Sequence, residues 1–384
     1  MTNTQPNVAG AIERVESHLH PIPSWDLADH PQPTGREEIW RFTPKRKFKA
    51  LFDETVTPGS LEWEGTFPDG VTVTEITAEQ ARGLSSEAPV DRVAALAADL
   101  APNRTLIEIA PEAELAEPVT LVARGQGGEA RDQYIVKVGA FAKATIIIRF
   151  EGVASYAEKA EFIVGDGANV NIVTLQDWDA GAVHGGQRSV LVGRDAHVKS
   201  VTASLGGDVV RIQENMRYAA PGGELESYGL YFVESGQHVQ HRLFVDHNQP
   251  KTKSNVDYRG ALQGKGAHSV WIGDVLIRKN AEGIDTYESN KNLLLTEGCQ
   301  ADSVPNLEIE TGEIEGAGHS STTGRFDDLQ LFYLMSRGVP EREARRLIVQ
   351  GFFVEIIRRF GVAEIEEQMT ARVEREIEAI EGRA

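Results

Sequence analysis

The sequence predicts a mainly β fold, a β-solenoid core flanked by α-helical regions at its N- and C-terminal sides. Three observations carry this. β-type alternation runs for some 200 residues after about residue 100. A short repeat of the form apolar-Gly-x-x-Ala-x-apolar-x-apolar recurs through that stretch. Helical periodicity returns abruptly after Arg325. In a solenoid corner Gly takes positive φ, Ala leaves room where the backbone turns inward, and the alternating residues that follow bury one face against the neighbouring coil. An ordinary antiparallel sandwich is the alternative.

The chain divides into residues 1–100, a mixed and mostly helical region, 101–324, the β core, and 325–384, a helical domain. AIERVESHLH is a short amphipathic helix that ends before Pro21, and REEIWRFTPKRKFKALFDE is a second helical segment anchored by Trp40, Phe48, Leu51 and Phe52 around Pro44. LEWEGTF and VTVTEIT alternate as half-buried strands. SSEAPVDRVAALAADLAP is a helix with Asp91 as N-cap and Pro102 beyond its end. The repeat reads VGAFAKATI at Val138, VGDGANVNI at Val164 and VGRDAHVKS at Val192, then APGGELESY at Ala220, QGKGAHSVW at Gln263 and TEGCQADSV at Thr296. Early copies lie 26 to 28 residues apart; the wider later spacing implies insertions or longer coils. Past Arg325 come RFDDLQLFYLMSRGV, closed by Gly338, a helix opening at Pro340 with an apolar stripe from Leu347 to Ile357, and a Glu-rich helix over about 362–380. This bundle either caps the solenoid's open end or serves as a docking surface.

Bulk properties narrow the function classes. The 384 residues carry 58 acidic and 39 basic side chains, a formal net charge of −19, which disfavours nucleic acid and anionic membrane surfaces as partners. The KRKFK cluster is accordingly read as a solvated basic face. A single cysteine excludes an internal disulfide framework and fits a reducing compartment. No signal peptide and no membrane-spanning run is read, so a soluble, cytoplasmic protein is expected. GALQGKGAHS fails as a phosphate loop: three residues rather than four precede Gly264-Lys265, and Gly266 follows the lysine.

Two side chains are candidate ligands for a soft metal or for sulfur. Cys299 stands at a solenoid corner, where the other reading is a small residue packed at a coil edge. His319, in Gly-His-Ser-Ser, is set among small residues that expose its imidazole; it is either a metal ligand or a hydrogen-bonded structural histidine. His238 and His241 are an odd number apart and face opposite sides of a strand, so they do not share a metal. The run Glu308, Glu310, Glu313 and Glu315 is a solvated face.

GKGAHSVWIGDVLI, NKNLLL, PNLEIE, GHSSTTGRFDDLQLFYLMSRG and RRLIVQGFF, in that order between Arg259 and Phe360, together with EEIWRFTPKRKF, resemble the SufB/SufD family of the SUF iron–sulfur cluster assembly system. The SufD branch fits better, since SufB-type chains are longer and richer in cysteine. The resemblance implies a right-handed parallel β-helix and a non-catalytic scaffold that pairs with a SufB-like paralogue through the β-helix. It also implies docking of a SufC-like ATPase on the C-terminal helices, with Leu331, Phe332, Tyr333, Arg337, Phe352 and Phe353 in the contact region. A transient iron–sulfur cluster at the paralogue interface is implied as cargo, with His319 and Cys299 as its candidate ligands. His319 matches the SufD interface histidine, although Ala317 replaces a cysteine common two residues before it; Cys299 falls where SufB chains carry their cluster-assembly thiol. Flavin binding and a homodimer in isolation are further possibilities under this resemblance. A β-helix enzyme acting on acidic polysaccharide, and a purely structural solenoid that binds only the ATPase, are the competing readings.

Overall fold

The computed structural model describes residues 22–326 and 328–381. Strands β4 (Val119–Val138), β5 (Lys143–Val164), β6 (Asn169–Trp178), β7 (Val183–Val192), β8 (His197–Ser204), β9 (Val209–Tyr218) and β10 (Glu224–Val233) continue into β11 (His238–His247), β12 (Lys253–Leu262), β13 (His268–Ile277), β14 (Asp285–Leu294), β15 (Gln300–Ile309) and β16 (Gly316–Arg325). From β4 onward each strand pairs in parallel with the strand one coil away, in the order β15-β13-β11-β9-β7-β5-β6-β8-β10-β12-β14-β16. Odd and even strands therefore form two opposed faces of a parallel β-solenoid. β5 belongs to both: its first half pairs with β6, its second with β7, and it bends at Gly152, whose φ is +80°. A Cβ on Gly152 would meet the Gly125 carbonyl oxygen at 2.3 Å, so the close stacking of these corners requires glycine twice over.

The register explains the uneven repeat. The copies at Val164, Val192 and Ala220 mark turns from an odd strand into the next even one, and that at Val138 the turn from β4 into the half of β5 that pairs with β6; those at Gln263 and Thr296 mark turns from an even strand into an odd one. They lie on opposite edges of the solenoid. The wide spacing thus reflects a change of edge, while coils themselves lengthen only from 26 residues (Lys143 to Asn169) to 32 (Lys253 to Asp285).

The N-terminal end of the stack is closed by β3 (Asn103–Ile109) beside β4, with β1 (Glu62–Thr66) and β2 (Val71–Glu75) antiparallel on β4 and β3. α1 (Ala78–Leu84) opens with a capping box of Thr77 and Gln80 that sequence reading passed over. α2 (Arg92–Leu100) begins at the expected cap, Asp91, which accepts from Ala94 N. The predicted helix over Arg36–Glu54 is instead held in short 3-10 turns that bury its aromatics on the odd face: Trp40, Phe48, Leu51 and Phe52 pack with Val93 and Ala97 on Ala157, Val183 and Val209. AIERVESHLH falls outside the described residues.

α3 (Asp328–Ser336), α4 (Glu341–Arg358) and α5 (Ala363–Glu381) follow β16. The bundle is no end cap. Val349, Phe353, Ile356, Phe360, Ile365, Met369, Val373 and Ile377 bury against Ile147, Val173, Val201, Leu230 and Phe232 on the outer side of the even face. Outward even-strand residues are apolar there, which supplies the surface an amphipathic helix needs. Arg259 Nη2 to Glu355 (2.7 Å) and Arg372 Nε to Asp177 (3.0 Å) pin α4 and α5 at two points. Among the described residues, no helix is long and apolar enough to cross a membrane.

Inside the solenoid an otherwise apolar core carries a buried polar chain that starts at β4 and β5. Arg188 reaches Glu158 at 2.6 Å, Tyr134 OH donates to Glu158 at 2.8 Å, and Tyr258 OH and Thr202 Oγ1 both donate to Glu214 at 2.8 Å. Burial alone would raise the Glu158 carboxyl, yet Arg188 and then His184 hold it down at about 2. Nearer the last coils Tyr231 OH donates to Asn292, and Asn290 Nδ2 donates back to Tyr231.

Candidate functional site

β15 and β16 end the stack. β15 pairs only with β13 and β16 only with β14, so each leaves one ladder edge without a strand among the described residues. Their side chains are half-buried or exposed throughout, whereas those of β11 and β13 are almost all buried. An edge of this kind is a template for another chain. Pro305 on β15 blunts it locally, since proline is tolerated where no ladder donor is needed.

His319 lies on β16 directly beside Glu288 of β14. Its ring is 42% exposed, and its Nδ1 lies 3.9 Å from Glu288 Oε1. Glu288 is only 1% exposed. Its Oε1 has no hydrogen-bond partner, nor has Nε1 of buried Trp271 nearby, and burial, reinforced by Asp274, pushes its carboxyl up to about 8. The carboxyl group reaches over Gly273, where an added Cβ would meet Glu288 Oε2 at 2.5 Å and the Trp271 ring at 2.2 Å. An exposed imidazole above an acid without a hydrogen bond is an incomplete polar pair at the open end. Glu288 was invisible in sequence because Thr286, Glu288, Asn290 and Asn292 alternate like a solvated face; only the coil register turns them inward.

Cys299 sits at the β14–β15 corner in the register of Ala267, which is fully buried one coil earlier. Its thiol donates weakly to Gly264 O at 3.4 Å and lies 3.5 Å from Thr296 Oγ1. The structure does not bring Cys299 and His319 together: His319 faces a residue six positions before the end of β14, and Cys299 follows that end, a separation of roughly 20 Å along the strand. Among the described residues, no three His, Cys, Asp or Glu side chains converge as a metal site.

The predicted helical contact residues divide. Phe353 is fully buried, Leu331 nearly so, and Phe352 half-buried, its carbonyl accepting from Arg259 Nη1 at 3.1 Å. Phe332 is 70% exposed and Tyr333 56%, with the Arg337 guanidinium 5.2 Å from the Tyr333 ring centroid. Leu329, Met335, Leu347 and Val354 extend this exposed apolar surface over α3 and α4. A surface of this size on helices marks an interaction site more often than a solvated one.

Fold and site together define a parallel β-solenoid with an open terminal coil, a polar interior and helices laid along one face. Residues 121–352 match the model of the SufBD core domain of SUF-system FeS cluster assembly. An iron–sulfur cluster assembly SufBD family protein of Mycobacterium tuberculosis is 44% identical over 389 residues, spanning 99% of this chain and 98% of the relative. One from Mycobacterium leprae is 43% identical over 370 residues and 94% of each chain. SufD of Escherichia coli is 26% identical over 288 residues, 72% of this chain and 68% of its own. The chain belongs to the SufB/SufD family of iron–sulfur cluster assembly proteins.

Proposed function

We propose that this chain is the SufD-type scaffold subunit of a SUF complex, without catalysis of its own, working in the cytoplasm. In this reading the open edges of β15 and β16 pair with a SufB-like paralogue, and the exposed face of α3 and α4 receives a SufC-like ATPase. The observation that carries the reading is the terminal coil, whose ladder edges and half-exposed inward side chains are left incomplete by this chain. The paralogue supplies the remaining ligands around His319, and the nascent cluster is built there as transient cargo. An imidazole beside a buried carboxyl group suits that task, because a site with few thiolates both holds iron and releases it. Cys299, at the far corner of the same coils, takes a second, sulfur-handling place on this surface.

Co-expression with the two partners tests the pairing. The full chain is expected to copurify with both. Phe332→Asp with Tyr333→Asp is expected to lose the ATPase by at least tenfold in bound fraction, keep the paralogue, and leave the melting temperature of the isolated chain within about 2 °C, since surface changes away from packing are small. Retention of the ATPase by this variant places its contact elsewhere, and a chain that remains a homodimer in the presence of the paralogue contradicts the pairing.

A further inference from the structure

Away from the open end, on the outer side of the odd face, β11 and β13 place His238 beside His268 in direct register. Their Nδ1 atoms are 3.2 Å apart, and the rings meet edge to face with centroids 4.8 Å apart at 80°. The outer nitrogens of both rings have acceptors. His268 Nε2 lies 2.7 Å from Asp302 Oδ2, so its proton sits on Nε2 and its lone pair on Nδ1. His238 Nε2 faces Gln240 Oε1 at 3.5 Å, an oxygen that also accepts from Thr43 Oγ1 at 3.0 Å. The two Nδ1 atoms stand at hydrogen-bond distance, and an ion bound between them takes the place of the proton they would otherwise share.

We propose that His238 and His268 form a two-histidine chelate for a divalent transition-metal ion, with the remaining positions taken by water. The distance suits it. Two metal–nitrogen bonds of about 2.1 Å meeting at roughly 100° span the observed gap between the nitrogens. Asp302 provides the carboxylate behind a ligating histidine that orients the ring and raises its basicity, and Gln300 Nε2 in turn donates to Asp302 Oδ2 at 2.8 Å. The His268 ring is 24% exposed, which leaves a path for the ion and its waters. Lys47 and Arg211 near His238 oppose any cation alike; a ligand set of two imidazole nitrogens and no carboxylate favours Zn2+, Co2+, Ni2+ or Cu2+ over Mg2+ or Ca2+. The site is independent of the cluster reading and of His319.

The test is a titration of the tag-free, metal-stripped full chain with Co2+, read by visible absorption and by calorimetry. One ion per chain is expected. His268→Ala and His238→Ala are expected to abolish the absorption band. Asp302→Asn is expected to weaken binding by roughly ten- to a hundredfold, and His319→Ala to leave it unchanged. If buried His238 tolerates no change, His268→Gln at the more open ring decides the matter. Binding that survives loss of His268, or disappears with His319, overturns the proposal.

Discussion

Arg188→Met is expected to lower stability by about 3–5 kcal/mol, because it removes one partner of a fully buried charge network and leaves the other in place. Arg188 lies against Glu158 at 2.6 Å, with Glu214 at 3.9 Å, and all three side chains are within a few per cent of complete burial. Methionine keeps most of the volume, so the loss reports charge rather than a cavity. Without Arg188 the Glu158 carboxyl group keeps only Tyr134 and His184 as neighbours. By contrast Lys143→Ala, which breaks the exposed pair with Glu114 at 2.7 Å, is expected to leave stability almost unchanged. Guanidinium unfolding of the two variants beside wild type reads the contrast. Equal midpoints for Arg188→Met and wild type would mean that the interior chain is not held by ions.

The isolated chain is expected to be acid-labile well above the carboxylate range. His241 and His247 point into the solenoid, where burial pushes both imidazoles down to about 3. His241 Nε2 meets Ser204 Oγ at 3.2 Å, and His247 is held between Thr252 and Ser254. The unfolded chain takes up protons at these residues near pH 6.5, while the folded one does not until about 3. Their stabilising contribution is therefore complete above pH 6.5 and is lost as the pH falls toward 3, by a few kcal/mol each at the limit. His241→Gln with His247→Gln is expected to flatten the fall between pH 6.5 and 4.5, before most carboxyl groups titrate. Unfolding midpoints at pH 7.5, 5.5 and 4.5 check this; parallel curves for variant and wild type would assign the acid response elsewhere.

Much of this architecture was legible in sequence, and the failures have physical causes. The Gly-Ala repeat announced corners and therefore a solenoid, but a coil has two edges and the same corner chemistry serves both, so one-dimensional spacing merged them. The helix expected around Pro44 gave way to 3-10 turns because tertiary contacts of Trp40, Phe48 and Phe52 outweigh local propensity. The C-terminal stripe from Leu347 to Ile357 was readable as an amphipathic face, although Leu347 stays exposed while Val349 is buried; its partner, the outward side of β5, β6, β8 and β10, is made of residues that look like any strand alternation. His319 stood out through its small neighbours. Glu288 did not, and neither did the His238–His268 pair, since contacts between coils depend on register and the two residues are thirty positions apart.

Cluster loading of the co-expressed complex under anaerobic conditions tests the central claim most directly. Iron and sulfide content would be measured for wild type, His319→Ala and Cys299→Ala, each purified with the paralogue and the ATPase. The scaffold reading predicts that His319→Ala assembles an intact complex that accumulates little iron or sulfide, with Cys299→Ala showing whether the corner thiol shares the task. If both variants assemble and load as wild type does, His319 and Cys299 are not where the cluster forms, and this chain serves its partners as structure alone.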